Sequence, residues 1–280
     1  MKLASFLYGE RPSFGIVKDD GIVDLSRRLG GDLKAALGRD IGLDEVRKHG
    51  SEPTDITLDG VRFLPAVPNP AKILCIGLNY RDHAEETGAD IPKRPTIFVR
   101  FADAEVGHLQ PIVRPKASTK YDYEGELAVI IGRAARHVPR EAALDFVAGY
   151  SCFNDGTIRD WQGHSSQFTA GKNFLSTGAV GPWLVTADEI GDPAGLALET
   201  RLNGEVMQSG STADLIFDVP TLIEYITTFT QLMPGDIIAT GTPAGVGYRR
   251  RPPRYLQSGD VVEVEIETIG TLRNPVVDEA

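Results

Sequence analysis

Apolar residues along this chain come in short runs, with glycine, asparagine, aspartate and proline between them. Ile73 to Leu78, Thr96 to Phe101, Glu126 to Ile131, Ala148 to Phe153, Gly181 to Thr186, Leu198 to Leu202, Glu205 to Ser209, Asp236 to Thr240 and Val261 to Ile266 each have strand length and strand-like patterning. Asn203-Gly204, between two of them, is the strongest short-range hairpin signal in the chain. The clearest helical period is in Val219 to Thr230, with Pro220 in the first turn and Leu222, Ile223, Ile226 and Phe229 on one side. Residues 1–65 read as a small separate unit. A meander of Lys2 to Tyr8, Phe14 to Val17 and Gly21 to Asp24 precedes short helices at Asp32 to Leu37 and Leu43 to Lys48. Pro65, Pro68 and Pro70 then make a stiff connector to a larger unit over residues 71–280. Repeats and regular strand–helix alternation are both missing. The pattern predicts a mixed-strand α+β fold.

Composition narrows the function classes. A chain of 280 residues can bury an ample core. Its net charge of −10 argues against nucleic acid or an anionic membrane as partner, because both demand basic surface. An anionic small-molecule substrate must then be met locally, by a metal and a few Lys or Arg side chains. No apolar run approaches the ~20 residues needed to span a bilayer. Cys75 and Cys152 both lie in strand-like apolar runs and read as reduced core residues. The start, Met1 to Tyr8, faintly mimics a signal peptide, but Gly9-Glu10-Arg11 ends the apolar stretch early, so a cytoplasmic location is expected.

The most informative local feature is Glu124-Gly125-Glu126, leading into the apolar run Leu127 to Ile131. Side chains two apart on a strand share a face, so these carboxylates sit side by side. At an effective dielectric of ~20, like charges ~4 Å apart repel by roughly 4 kcal/mol. A shared proton, a basic partner or a divalent cation offsets that, and all-oxygen ligation favours Mg²⁺, Mn²⁺ or Ca²⁺. The alternative is an edge strand with both glutamates in solvent. Asp155 follows a second apolar strand, in Asn154-Asp155-Gly156; alone it suits a turn or helix cap, but beside Glu124 and Glu126 it is a candidate third ligand. Three carboxylates with water in the other positions suit a hydrated, octahedral Mg²⁺ site.

Other segments offer proton-transfer and anion-binding groups. His83 and Glu86 are three apart after a predicted strand, so on a helix they touch and can form a general base with its orienting carboxylate. Lys172, in a Gly171-Lys172-Asn173-Phe174 turn, can hold a carboxylate or a developing enolate, or be an ordinary surface lysine. Arg159 and Gln162 can fork onto a carboxylate and a carbonyl, although Arg159-Asp160 is also compatible with a structural ion pair. The Gly-rich stretch Thr240 to Gly247 lacks the ending of a phosphate loop, so approach of its backbone and the Thr242 hydroxyl to an anion fits better. The Gly163-His164-Ser165 stretch lacks the closing glycine of a nucleophile elbow. Arg249-Arg250-Arg251-Pro252-Pro253-Arg254 reads as a solvated loop, or one reaching over a partner subunit's site.

Several stretches, in order from about residue 71 to 276, are similar to the fumarylacetoacetate hydrolase family. They are Ile76-Gly77-Leu78-Asn79-Tyr80-Arg81-Asp82-His83, Tyr123-Glu124-Gly125-Glu126-Leu127, Asn154-Asp155 through Gln162, Gly171-Lys172-Asn173-Phe174, Gly181-Pro182-Trp183, Asn203-Gly204-Glu205, Pro234 to Gly247 and Gly270 to Pro275. The resemblance implies a β-roll core with a smaller N-terminal domain, a homodimer, and a Mg²⁺ or Mn²⁺ site at Glu124, Glu126 and Asp155. It also implies enzymes that cleave or rearrange 2-oxo and 2,4-dioxo acids. The His83/Glu86 pair matches the water-activating dyad of the acylpyruvase branch. The expected reaction is hydrolysis of a C–C bond in a 2,4-dioxo acid, with a metal-stabilised enolate leaving and Lys172 and Arg159 neutralising charge. Oxaloacetate decarboxylation, 2-hydroxymuconate-type isomerisation and catalytically silent metabolite binding are the alternatives. Gly156-Thr157-Ile158 departs from the Val-Ser-Ala type of sequence found there in relatives, and residues 163–170 are rich in Ser, Gln and His. These positions are expected to line the distal pocket.

Overall fold

The computed structural model describes residues 1–40 and 42–280. Two sheets carry the architecture, and the expected α+β class with its β-roll core is what forms. The larger sheet runs, in spatial order, through Gly21–Asp24, Arg11–Lys18, Lys2–Tyr8, Gly178–Thr186, Val147–Asn154, Gly125–Ile131, Ile237–Ala239, Ile73–Gly77 and Thr96–Arg100. Two short strands, Arg62–Phe63 and Glu105–Val106, attach beside this path. The second sheet has five strands: Glu205–Ser211, Ala197–Leu202, Val261–Ile266, Gly270–Asp278 and Ile112–Arg114. The N-terminal meander is hydrogen-bonded onto the larger sheet, with Lys2 opposite Val185 and Leu3 opposite Leu184.

The Gly125–Ile131 strand shows why the sheets stack as they do. It is central and wholly buried, with Val147–Asn154 on one side and Ile237–Ala239 on the other, so the edge-strand alternative does not occur. Leu127, Val129 and Ile131 meet Leu198, Val262, Val264 and Leu272 of the five-stranded sheet. Ala128 and Ile130, alternating to the opposite face, meet Leu33, Ala36 and Leu37 of the N-terminal helices. Each fully buried Leu or Ile side chain contributes roughly 1.5–3 kcal/mol, so both faces pin the register. Glu126 lies on the even-numbered face at the strand's start, and Glu124 continues that alternation.

Gly125, between the glutamates, has a steric reason. A Cβ there would lie 2.1 Å from Thr200 Oγ1, so the five-stranded sheet approaches too closely for any side chain. The Val219–Phe229 helix forms with Asp218 as its N-cap and Pro220 in its first turn. Gly270–Asp278 was not anticipated as a strand, because Asn274-Pro275 looks like a breaker. There Pro275 sits opposite Val261, at the ladder's far end. Cys75 and Cys152 are both free and buried, as expected. Among the described residues, no helix is long and apolar enough to cross a membrane.

Candidate active site

Adjacent strands bring the three acidic residues together. Antiparallel pairing sets Glu126 opposite Phe153 and Gly125 opposite Asn154, so Asp155 emerges beside Glu124, whose carbonyl accepts its N–H at 2.8 Å. Carboxylate oxygens of Glu124, Glu126 and Asp155 all lie within 4.8 Å of one another, and all three residues are buried. Glu126 accepts one backbone N–H, from Gly241 at 2.8 Å, and Gly241 has φ +105, a conformation that glycine adopts without strain.

Cations surround this group. Lys172 is only 1 % exposed, so it is no surface lysine; its Nζ lies 2.6 Å from Glu124 Oε2 and 2.5 Å from Asp155 Oδ2. It ends a short helix, Thr169–Lys172, where a turn was expected. Arg159 does not pair with Asp160. Its Nη1 lies 2.7 Å from Glu124 Oε1, and its Nε donates to Asp122 Oδ2 at 2.8 Å. Gln162 accepts from the same guanidinium at 3.2 Å. Arg100, which sequence reasoning missed, donates to Asp155 Oδ1 at 2.7 Å and to Glu105 while wholly buried.

The electrostatics leave an excess of negative charge. Five buried carboxylates, on Glu105, Asp122, Glu124, Glu126 and Asp155, face two buried cations, on Arg100 and Lys172, and the partly buried Arg159. Burial raises the Glu124 carboxyl, but Arg159 and Lys172 outweigh burial and hold it well below the usual range. Glu126 moves the other way. Burial, together with the charges of Asp155 and Glu124, pushes it well above its ordinary value. Burial also pushes Glu105 up to about 7, against the opposing pull of Arg100. Two protons or one dication would neutralise the excess. The donors at its centre are all carboxylate oxygens, so a hard divalent metal fits the residues present.

The other candidates converge on the same space. The helix Arg81–Thr87 forms where His83 and Glu86 predicted it, and His83 Nδ1 lies 3.0 Å from Glu86 Oε2. The second oxygen of Glu86 accepts the Gly245 N–H at 2.9 Å, and Asp82 accepts that of Ala244 at 3.1 Å. These bonds tie the helix to the Gly-rich loop. Thr242 donates to the Gly125 carbonyl at 2.9 Å and accepts from Gln208 at 2.7 Å. His83, Glu124, Glu126, Asp155, Arg159, Gln162, Lys172 and Thr242 all line one cavity of about 400 Å³, with Glu86 behind His83.

The cavity wall corrects two expectations. Gly163, Ser165 and Phe168 line it as anticipated, but Gly156, Thr157 and Ile158 do not. Those three pack beneath, where a Cβ on Gly156 would lie 1.8 Å from the Thr177 carbonyl. The arginine run after Gly247 is not a plain solvated loop either. Arg249 lines the cavity, Arg250 donates to the Met207 carbonyl at 2.7 Å, and Arg254 forks onto Asp260 at 2.8 and 2.9 Å. Tyr248 and Phe98 complete a wall that sequence reasoning missed. The Tyr248 ring lies 4.3 Å from the Arg159 guanidinium.

Residues 72–277 match the family model described as fumarylacetoacetate (FAA) hydrolase, C-terminal. The chain belongs to the fumarylacetoacetate hydrolase family. Within the family it is 46 % identical over 225 residues to the oxaloacetate tautomerase YisK of Bacillus subtilis, covering 79 % of this chain and 74 % of that one. Among solved structures it resembles fumarylacetoacetate hydrolase from Exiguobacterium antarcticum, with TM-score 0.84, 37 % identity and full coverage of both chains. It also resembles maleylpyruvate hydrolase from Sphingobium sp. SYK-6, solved with manganese(II) and pyruvate, with TM-score 0.84, 30 % identity and full coverage of both chains. These relatives are enzymes, named as tautomerases and hydrolases.

Proposed function

We propose that this family member catalyses proton transfer next to the carbonyl of a 2-oxo acid, interconverting keto and enol forms, with oxaloacetate as the first substrate to test. One observation carries the reading: the His83–Glu86 dyad and the buried carboxylate–lysine cluster open onto the same cavity. The name of the 46 % identical relative supports the same choice. A divalent ion at Glu124, Glu126 and Asp155, Mg²⁺ or Mn²⁺, would supply Lewis-acid polarisation of the 2-oxo carbonyl. With Nδ1 engaged by Glu86, His83 exchanges protons through Nε2, taking one from the carbon beside the carbonyl or returning it there. Glu86 stabilises the imidazolium that forms. Lys172, bonded to Glu124 and Asp155, would offset negative charge that grows on the oxygen. Arg159 and Gln162 orient the substrate's carboxylate, and Thr242 lines the same wall.

Hydrolysis of a C–C bond in a 2,4-dioxo acid is the second reading. The likeness to maleylpyruvate hydrolase favours it, and so does a dyad equally able to deprotonate a water. Both reactions pass through an enolate of a 2-oxo acid, that of the whole substrate in one case and that of the departing pyruvate in the other, so the substrate's far end decides between them. The test is a panel assay with Mg²⁺, following loss of enol absorbance from freshly dissolved enol-oxaloacetate, CO₂ release from oxaloacetate, and pyruvate release from acylpyruvates. Accelerated enol decay without pyruvate release supports the tautomerase reading. Pyruvate release alone replaces it with the hydrolase, and CO₂ release alone with the decarboxylase. Tight oxalate binding with none of the three identifies a metabolite binder.

A further inference from the structure

We infer that Arg249 sets the substrate preference of this cavity, selecting 2-oxo acids that carry a second carboxylate besides the one next to the oxo group. The inference rests on the 2-oxo acid reading above for the identity of the acid. Arg100, Arg159 and Lys172 each lie within 2.7 Å of a carboxylate of this chain, and Arg159 is already assigned to the carboxylate beside the oxo group, so none of them is left for a second anionic group. Arg249 differs. It lines the same cavity, yet among the described residues no carboxylate lies within ion-pair distance of it.

Its side chain is nevertheless held. Nη2 donates to the Thr87 carbonyl at 2.8 Å, and the guanidinium lies 4.8 Å from the Tyr248 ring centre. Its Nε is buried and has no hydrogen-bond partner. A guanidinium already fixed at one nitrogen loses little further freedom on meeting a carboxylate, and it presents its remaining N–H groups in fork geometry. The cavity volume of about 400 Å³ lies in the range of small-molecule sites. The chemical class is therefore a short dicarboxylic 2-oxo acid, its oxo-acid end at the triad and its second carboxylate at Arg249. A monocarboxylic acid would leave Arg249 as it is.

The rival account makes Arg249 a clamp on the end of the Arg81–Thr87 helix, in which case its loss would affect every ligand alike. Calorimetry on the intact protein with Mg²⁺ separates the two, comparing L-malate, which carries a distal carboxylate, with L-lactate, which does not. Arg249→Leu should lower the malate-to-lactate affinity ratio by about tenfold to a hundredfold, the loss expected for charge-assisted hydrogen bonds, and Arg249→Lys should retain part of it. The kcat/KM ratio for the enols of oxaloacetate and phenylpyruvate should fall in parallel. A ratio unchanged in both variants, or an unaltered protein that binds malate no better than lactate, overturns the inference. The binding arm needs no turnover. An Arg249-dependent malate preference in a protein inactive on both enols would sink the tautomerase reading and leave this one standing.

Discussion

Replacing Glu126 with Gln should strengthen the metal-free protein while weakening its response to metal. Glu126 lies within 4.8 Å of two other carboxylates, and at an effective dielectric of ~20 each ionised pair at that limit repels by about 3.5 kcal/mol. Lys172 offsets part of this through Glu124 and Asp155 but leaves Glu126 pushed well above its ordinary value of 4.5. A carboxyl raised in the folded state binds its proton more tightly there than in the unfolded chain. Stability therefore declines as pH climbs from about 4.5 toward the raised value, and the penalty is in force throughout the range above it. Gln carries no charge, and its carbonyl oxygen still accepts the Gly241 N–H. The variant should gain on the order of 2 kcal/mol without metal near neutral pH, a rise in Tm of roughly 4–8 °C. Magnesium at a hundred times its Kd should stabilise the unaltered protein by about 2.7 kcal/mol and the variant by far less. Differential scanning calorimetry in EDTA and in MgCl₂ measures both. A variant less stable in EDTA, or one that keeps the full magnesium shift, would refute the account of the acidic cluster.

Three further outcomes can be checked. His83→Ala should lower kcat by about 10²–10⁴, the usual contribution of a general base, while the magnesium-induced rise in Tm stays; normal turnover would remove the dyad from the mechanism. Gly125→Ala drives a methyl to 2.1 Å from Thr200 Oγ1 and should destabilise by about 3 kcal/mol or more in urea unfolding. Thr200→Ala removes that hydroxyl, which has no hydrogen-bond partner, so the double variant should recover much of the loss, and strict additivity would argue against this contact. His108 is pushed down to about 4, chiefly by burial and then by Arg273, while its Nδ1 accepts the Arg273 N–H at 3.1 Å. Its neutral form therefore contributes stability that is complete above its ordinary 6.5 and is lost as pH falls toward 4. His108→Gln should flatten that limb of the Tm–pH curve.

What the sequence disclosed was local. Glu124, Glu126 and Asp155 were legible because strand period and strand ends put them together, and both rules act over a few residues. The His83/Glu86 contact followed from helix spacing in the same way. Arg100 escaped because nothing near it in sequence announces Asp155, 55 positions away. Asp122 escaped for a related reason. Its partners are Arg159 and the N–H groups of Gly247 and Tyr248, reached only when the loop folds back. The arginine run was misread because like charges next to prolines describe solvent-facing chain on average, whereas tertiary folding set Arg249 in the cavity wall and tied Arg250 and Arg254 to Met207 and Asp260. The Gly270–Asp278 strand was hidden by Pro275, whose missing donor matters only if that position must donate to the ladder.

The two oxygens of Glu86 face different ways, one to an imidazole and one to the backbone of Gly245. A single carboxylate thus fastens the proton-carrying helix to the loop that bears Thr242, and neither segment can shift without straining the other. The orientation of the base and the position of the Thr242 loop are therefore set together, through one side chain.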